Sequence, residues 1–296
     1  MELSVKIGNI TLKNPVIPAS GTFGIEYEDI VPIDKLGAII TKGITLKPKE
    51  GNKPPRIFET RFGLLNSIGL ENPGIDVFLK ETLPRLKRYN IPIIANIAGE
   101  SIEEYEELAK ILNKEVSGLE VNISCPNVAK GGIEFGQEPD VVFSLVSKIR
   151  KATNLTIIVK LTPNVSFIKP IAKACEDSGA DAISLINTIK GLAIDVEKQK
   201  PVIFGGLSGP CIKPVALRMV WEAYNSVSIP IIGIGGISNT GDAIEFFLAG
   251  ASCIQIGTAN FIDPLSCIKI IDGIRDYMIE KKIPNMDFFK KRRDEF

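Results

Sequence analysis

Eight short strand-like runs recur along this chain, with helix-like runs between most of them. That alternation limits the fold more than any single residue does. The runs are NPVIPA (14–19), AIITKGI (38–44), PIIANIA (92–98), GLEVNIS (118–124), TIIVKL (156–161), AISLINT (182–188), PIIGIGGI (230–237) and CIQIGTA (253–259). Each is rich in Ile and Val and nearly continuous in apolar character, as strands covered on both faces are. Amphipathic segments separate them. In SIEEYEELAKIL, Ser101 stands at a capping position with acids in the first turn. DVVFSLVSKIRKA, IKPIAKACEDSG, PVALRMVWEAYNS, TGDAIEFFLAG and PLSCIKIIDGIRDYMIE are the others, and Gly179 and Gly250 fall where helices should stop. Eight parallel strands with intervening helices predict an α/β chain closed into a (β/α)8 TIM barrel. A doubly wound open sheet is the alternative, and the length and strand count favour the barrel. No linker is visible, so residues 1–296 are expected to form one domain.

Three stretches, 45–72, 125–138 and 189–213, read as long loops after strands 2, 4 and 6. All follow the C-terminal ends of strands, where barrel enzymes place their active sites. VNISCPN, 121–127, is the most informative of the strand-to-loop junctions. Alternation sets Asn122 and Ser124 on one face, opposite Val121 and Ile123, and Cys125 then leaves the strand into a polar loop. The chain has no histidine. Proton transfer near neutral pH therefore falls to cysteine, carboxylate, lysine, tyrosine or water, and a loop cysteine is the natural candidate.

The other strand ends add Ser20, Lys42 with Gly43, Asn96, Lys160, Asn187 with Thr188, Gly235-Gly236 and Gly257-Thr258. Glycines after strands 7 and 8 suit a phosphate, because backbone N–H groups approach closely where no Cβ intervenes. Their plainer role is to permit tight turns. Lys42 and Lys160 interrupt apolar strands, and a buried ammonium needs an anion or a polar ring. Lys160 suits the pyrimidine end of a flavin, whose reduced form is negatively charged; the plainer alternative is that both ammonium groups reach solvent. Asn66, Asn122, Asn127 and Asn187 offer the paired donors and acceptors that a planar heterocycle needs. Cys175, Cys253 and Cys267 read as small apolar fillers, and Cys211 has no evident place.

The exclusions are as useful. Thirty-five basic residues balance thirty-five acidic ones, so no net field draws in nucleic acid. No ligand cluster for a metal and no CxxC pair is present. No apolar run of about 20 residues spans a membrane, and a reducing cytoplasm is the expected setting.

With these residues in view, the chain resembles the dihydroorotate dehydrogenases, flavin enzymes of pyrimidine synthesis. TKGITLKPKEGN (41–52), NSIGLENPG (66–74) and VNISCPN carry the resemblance most specifically, with SGTFG (20–24), INT (186–188), GGLSGP (205–210), GIGGI (233–237) and IQIGTA (254–259) in order around them. It implies Cys125 as catalytic base. It implies Lys42, Asn66, Ser67, Ile68, Gly69, Leu70, Asn122, Asn127, Asn187 and Thr188 around the substrate. Flavin mononucleotide (FMN) would meet Ser20, Lys42, Gly43, Asn96, Asn122, Lys160, Ile186, Gly209, Gly235, Gly236, Gly257 and Thr258. SGTFG and KGITLKPKEGN resemble the B-type of class 1, which passes electrons to NAD through a second subunit carrying FAD and a [2Fe–2S] cluster. A homodimer of this chain within a heterotetramer is then expected. The alternatives are an A-type enzyme using fumarate, or another FMN barrel such as a tRNA dihydrouridine synthase. The latter calls for a basic surface or an added helical domain, and neither is visible. A non-redox phosphate-binding barrel would be colourless, and a non-catalytic scaffold would not need the thiol, lysines and amides.

Overall fold

A computed structural model of the protein describes residues 1–124 and 135–291. In chain order its strands are β1 (Val5–Ile7), β2 (Ile10–Leu12), β3 (Val16–Pro18), β4 (Ile39–Ile40), β5 (Ile57–Thr60), β6 (Gly63–Asn66) and β7 (Ile93–Ile97). They continue as β8 (Gly118–Asn122), β9 (Thr156–Lys160), β10 (Ala182–Leu185), β11 (Ile189–Asp195), β12 (Lys200–Ser208), β13 (Ile231–Ile234) and β14 (Cys253–Ile256). Eight of these form one sheet in the order β3-β14-β13-β10-β9-β8-β7-β4, every pair parallel. At the seam the Gly37 N–H donates to the Val16 carbonyl at 3.0 Å, which brings the β3 and β4 edges together. The chain is a (β/α)8 barrel, and its strands are the eight apolar runs.

Helices Ile102–Leu112, Pro139–Ala152, Ile168–Asp177, Lys213–Tyr224, Thr240–Leu248 and Ser266–Glu280 pack outside. Ser101 caps the first of them, its Oγ accepting the Glu104 N–H at 3.3 Å. An irregular helical segment, 75–89, with a π turn at Phe78–Thr82, lies between β6 and β7. Between β3 and β4 the described chain has only short 3₁₀ turns. Among the described residues no helix is long and apolar enough to cross a membrane.

Alternation along each strand sorts side chains into two environments. Outward residues such as Leu119, Val121, Val159 and Ile256 join the helices in the main core with Leu108, Leu145, Phe246 and Phe247. Inward residues are layered. At the N-terminal end, Ile17, Ile40, Ile94, Ile158 and Ile232 meet Ile7, Ile10 and Leu12 of the β1–β2 hairpin, which plugs the barrel. Fully burying each such side chain contributes roughly 1.5–3 kcal/mol. Above this floor the interior turns polar.

Two of the three expected loops are not irregular. Stretches 45–72 and 189–213 contain β5, β6, β11 and β12, which form a separate antiparallel sheet in the order β11-β12-β6-β5. Gly206 pairs with Asn66, Leu207 with Leu65 and Ser208 with Leu64. The pattern hid these strands because it is inverted. Small Gly191 and Ala193 face inward on β11 while Leu192 and Ile194 are exposed. Residues 125–134 of the third stretch lie outside the described residues. Just beyond them, Phe135 meets Tyr105 edge-on at 6.0 Å.

Candidate active site

A cavity of about 640 Å³ opens at the C-terminal ends of the barrel strands. The turns after β3 and β4 bring Ser20, Lys42 and Gly43 to it; β7, β8 and β9 bring Asn96, Asn122 and Lys160. The chain leaving β10 adds Ile186, Asn187 and Thr188, and the turns after β13 and β14 add Gly235, Gly236, Gly257 and Thr258. The antiparallel sheet walls one side with Asn66 and the segment Ser67, Ile68, Gly69 and Leu70, and Gly209 follows β12. Every expected site residue that the structure describes thus lines one cavity. Cys125 and Asn127 lie outside the described residues; Ser124, the preceding neighbour of Cys125, lines the cavity.

The amides are held, not loose. Asn122 Oδ1 accepts from the Ser124 N–H at 3.2 Å and from its hydroxyl at 2.8 Å, and the Tyr105 hydroxyl donates to the Asn122 carbonyl at 2.7 Å. Asn187 Nδ2 donates to Ser124 Oγ, and its Oδ1 accepts the Thr188 N–H at 2.8 Å. Asn66 Nδ2 donates to the Gly206 carbonyl at 3.1 Å. Leu70 has a left-handed backbone, φ 57°, which costs a non-glycine residue roughly 1 kcal/mol or more. Asn72 holds it there: its Nδ2 donates to the Leu70 carbonyl at 2.7 Å, and its Oδ1 accepts the Gly74 N–H at 2.9 Å.

Several participants were not singled out by sequence. Asn164 lines the cavity, donating to the Thr188 carbonyl at 3.2 Å and accepting the Lys190 N–H at 3.0 Å. Ser208 also lines it and accepts from Thr258 Oγ1 at 2.8 Å. Beneath lies Glu120, fully buried on β8. It accepts from Asn96 Nδ2 at 2.6 Å, Gln255 Nε2 at 2.6 Å and Ser184 Oγ at 2.9 Å, with Lys160 Nζ at 3.8 Å. Lys160 Nζ in turn donates to Ser20 Oγ at 2.9 Å. The signal was available, since Glu120 interrupts an apolar strand as the lysines do. Lys42 is exposed to the cavity and has no ion-pair partner among the described residues.

The glycine turn after β13 is built for close approach. Gly235 and Gly236 have φ of 123° and 76°, and a Cβ on Gly236 would meet the Lys213 backbone nitrogen at 2.8 Å. Asp242 braces this turn. It accepts from the Ser238 N–H at 2.9 Å and hydroxyl at 2.8 Å, from Asn239 Nδ2 at 3.0 Å and from Lys213 Nζ at 2.7 Å. Burial pushes its carboxyl up, but Lys213 and Ser238 outweigh burial and hold it below the usual aspartate range. The hydrogen bond to Asp242 raises Lys213 correspondingly.

These residues fit the expected flavin. Asn96 Oδ1 is buried without a hydrogen-bond partner among the described residues, an acceptor for a bound ring's N–H. Open space stands at Gly21, and at Gly257 a Cβ would meet nothing nearer than 3.7 Å. Among the described residues no His, Cys, Asp and Glu gather as metal ligands. Burial pushes the thiols of Cys175, Cys253 and Cys267 up, which suits packing and not proton abstraction. Cys211 is exposed, 3.8 Å from the Ser208 carbonyl.

Comparison with known proteins follows the same line. The dihydroorotate dehydrogenase family model matches residues 2–278. A protein of Thermoanaerobacter sp. (strain X514), called dihydroorotate dehydrogenase B (NAD(+)), catalytic subunit, is 52% identical over 97% of both chains. Proteins with that description from Geotalea uraniireducens (53% identity, 96% of both chains) and Caldicellulosiruptor saccharolyticus (54% identity, 95% of both chains) are similarly close. With its barrel, its cavity and this likeness over almost its whole length, the chain belongs to the dihydroorotate dehydrogenase family.

Proposed function

We propose that this protein oxidises (S)-dihydroorotate to orotate with FMN, in the de novo pyrimidine pathway leading to UMP. Electrons then pass to NAD through an iron–sulfur flavoprotein subunit that carries FAD and a [2Fe–2S] cluster. The observation that carries the reading is the convergence of amides, two lysines and glycine turns on one cavity at the barrel mouth. The relatives' description as a catalytic subunit using NAD(+) supports the separate electron-transfer subunit. A homodimer of this chain inside a cytoplasmic heterotetramer, with all 296 residues in one catalytic domain, completes the reading.

FMN, when bound, supplies the acceptor for the hydride that leaves C6 of the substrate. The chain's own residues do the rest. Ser20, Asn96 and Lys160 hold the ring end of the cofactor, and Lys160 favours its negatively charged reduced form. Gly209, Gly235, Gly236, Gly257 and Thr258 present backbone N–H groups to its phosphate. Lys42 pairs with the substrate carboxylate or with a flavin oxygen. Asn66, Asn122, Asn127 and Asn187, with Thr188, fix the ring edges so that the reacting atoms meet. Cys125, as thiolate, takes the proton from C5. It directly follows Ser124 at the cavity, and burial disfavours the thiolates of Cys175, Cys253 and Cys267. The segment Ser67–Leu70 closes the substrate side.

An absorbance spectrum tests the reading. Purified protein is expected to be yellow, and its flavin bands to bleach when dihydroorotate is added without oxygen. Reoxidation by NAD is expected only with the iron–sulfur subunit. A colourless protein that takes up no FMN, or a bound flavin that stays oxidised under excess dihydroorotate, would contradict it.

A further inference from the structure

Glu120 is the most fully buried charged residue among the described residues, and the proposed reaction gives it no task. Its side chain is fully buried, yet five strands serve it. It stands on β8, its hydrogen-bond donors come from β7 (Asn96), β10 (Ser184) and β14 (Gln255), and the Lys160 ammonium of β9 lies 3.8 Å away. Isolated, a buried carboxylate is very unfavourable; here hydrogen bonds and an ammonium offset that cost.

The arrangement fixes more than Glu120 itself. Asn96 and Gln255 both turn their amide nitrogens to its oxygens. The two buried side-chain atoms without a hydrogen-bond partner among the described residues are the other ends of these amides, Asn96 Oδ1 and Gln255 Oε1. A carboxylate accepts and cannot donate, so it sets this orientation; a neutral neighbour could let either amide turn over. Asn96 thereby keeps its acceptor for a donor in the cavity that it lines. Lys160 is held between Glu120 and Ser20, 3.8 Å from one and 2.9 Å from the other, so its ammonium arrives with a counter-charge already behind it.

We propose that Glu120 is the positioning residue of the flavin site: it orients the Asn96 amide and places the Lys160 ammonium while balancing its charge. The proposal rests on the flavin reading above. It has a consequence for redox poise. An ammonium with a carboxylate beside it attracts a negatively charged reduced flavin less than a lone ammonium does.

Glu120→Gln tests this by FMN affinity and by the reduction potential of the bound flavin. The uncompensated Lys160 is expected to shift the reduction equilibrium toward reduced flavin by about tenfold, about 30 mV for a two-electron couple. The FMN dissociation constant is expected to rise, because the Asn96 amide is no longer held. A folded Glu120→Gln protein with wild-type potential and affinity overturns the proposal. If Glu120→Gln does not fold, Glu120→Asp replaces it. That variant keeps the charge but withdraws it by one methylene, and weaker FMN binding is expected; folded Glu120→Asp with wild-type affinity and potential overturns the proposal. Wild-type protein that binds no FMN would instead refute the flavin reading, a distinct result.

Discussion

Replacing Asp242 with alanine is expected to loosen the glycine turn after β13. Four donors meet that carboxylate, but their losses differ. Ser238 and Asn239 are exposed, so the hydroxyl and the amide can turn to water. Lys213 keeps Glu245, whose carboxylate lies 3.0 Å from its Nζ. The Ser238 backbone N–H and half of the Lys213 pairing are the net losses. Charge-assisted hydrogen bonds are worth about 1.5–3 kcal/mol, and with partial rescue the variant should lose about 2–3 kcal/mol. Unfolding entropy of about 2.1 cal/mol/K per residue gives a 296-residue chain about 0.6 kcal/mol/K, so the FMN-free protein should melt about 4 °C lower. The pH dependence has a definite sign. The folded carboxyl is held below its ordinary value, so its contribution is fully present above the unfolded pKa, about 3.9, and is lost as pH falls through the folded value. Wild type and variant should therefore converge in stability in strong acid. Calorimetry at pH 7 and at successively lower pH below about 4, with FMN titration at pH 7, reads all three effects. A variant with unchanged melting temperature and unchanged FMN affinity would refute the idea that Asp242 braces the turn.

Cys125→Ala is expected to slow flavin reduction by dihydroorotate about 10²-fold or more while sparing FMN binding, as stopped-flow absorbance can measure. Cys125→Ser should move activity to higher pH, because its hydroxyl is the weaker acid. In Cys125→Ala protein a thiol reagent should label Cys211 at once and reach Cys175, Cys253 and Cys267 only on unfolding, since those three are buried; mass spectrometry of the labelled peptides distinguishes them. Gly206→Ala would drive a methyl into the Thr188 side chain. Overpacking of this kind costs about 1–3 kcal/mol, and the KM for dihydroorotate should rise about tenfold with FMN affinity unchanged.

The barrel was legible because its strands are covered on both faces, and Ile-rich runs such as PIIANIA and TIIVKL can hardly belong anywhere else. The mouth was harder. β11 exposes Leu192 and Ile194 and turns Gly191 and Ala193 inward, so an amphipathic reading sees no buried face and reports a loop. The N-terminal hairpin carried a usable signal, Gly8-Asn9 between alternating Ile7, Ile10 and Leu12, but at three residues each its strands are too short to stand out. In the cavity, Lys42 and Lys160 stand out because they interrupt apolar strands, and Asn96 and Asn122 because they are polar residues at strand ends. Asn164 and Ser208 could not be found that way. They sit in polar, turn-rich sequence where such residues are ordinary, and it is the tertiary approach of Thr188 and Thr258 that ties them to the cavity.

A crystal structure of the protein with FMN and orotate tests the central claim most directly. The account predicts the phosphate on the Gly235–Gly236 and Gly257–Thr258 turns, the flavin ring beside Asn96 and Lys160, and orotate between that ring and Asn66, Asn122 and Asn187, with the Cys125 sulfur facing its C5. Flavin density elsewhere on the barrel, or a Cys125 thiol walled off from the bound orotate, would contradict it.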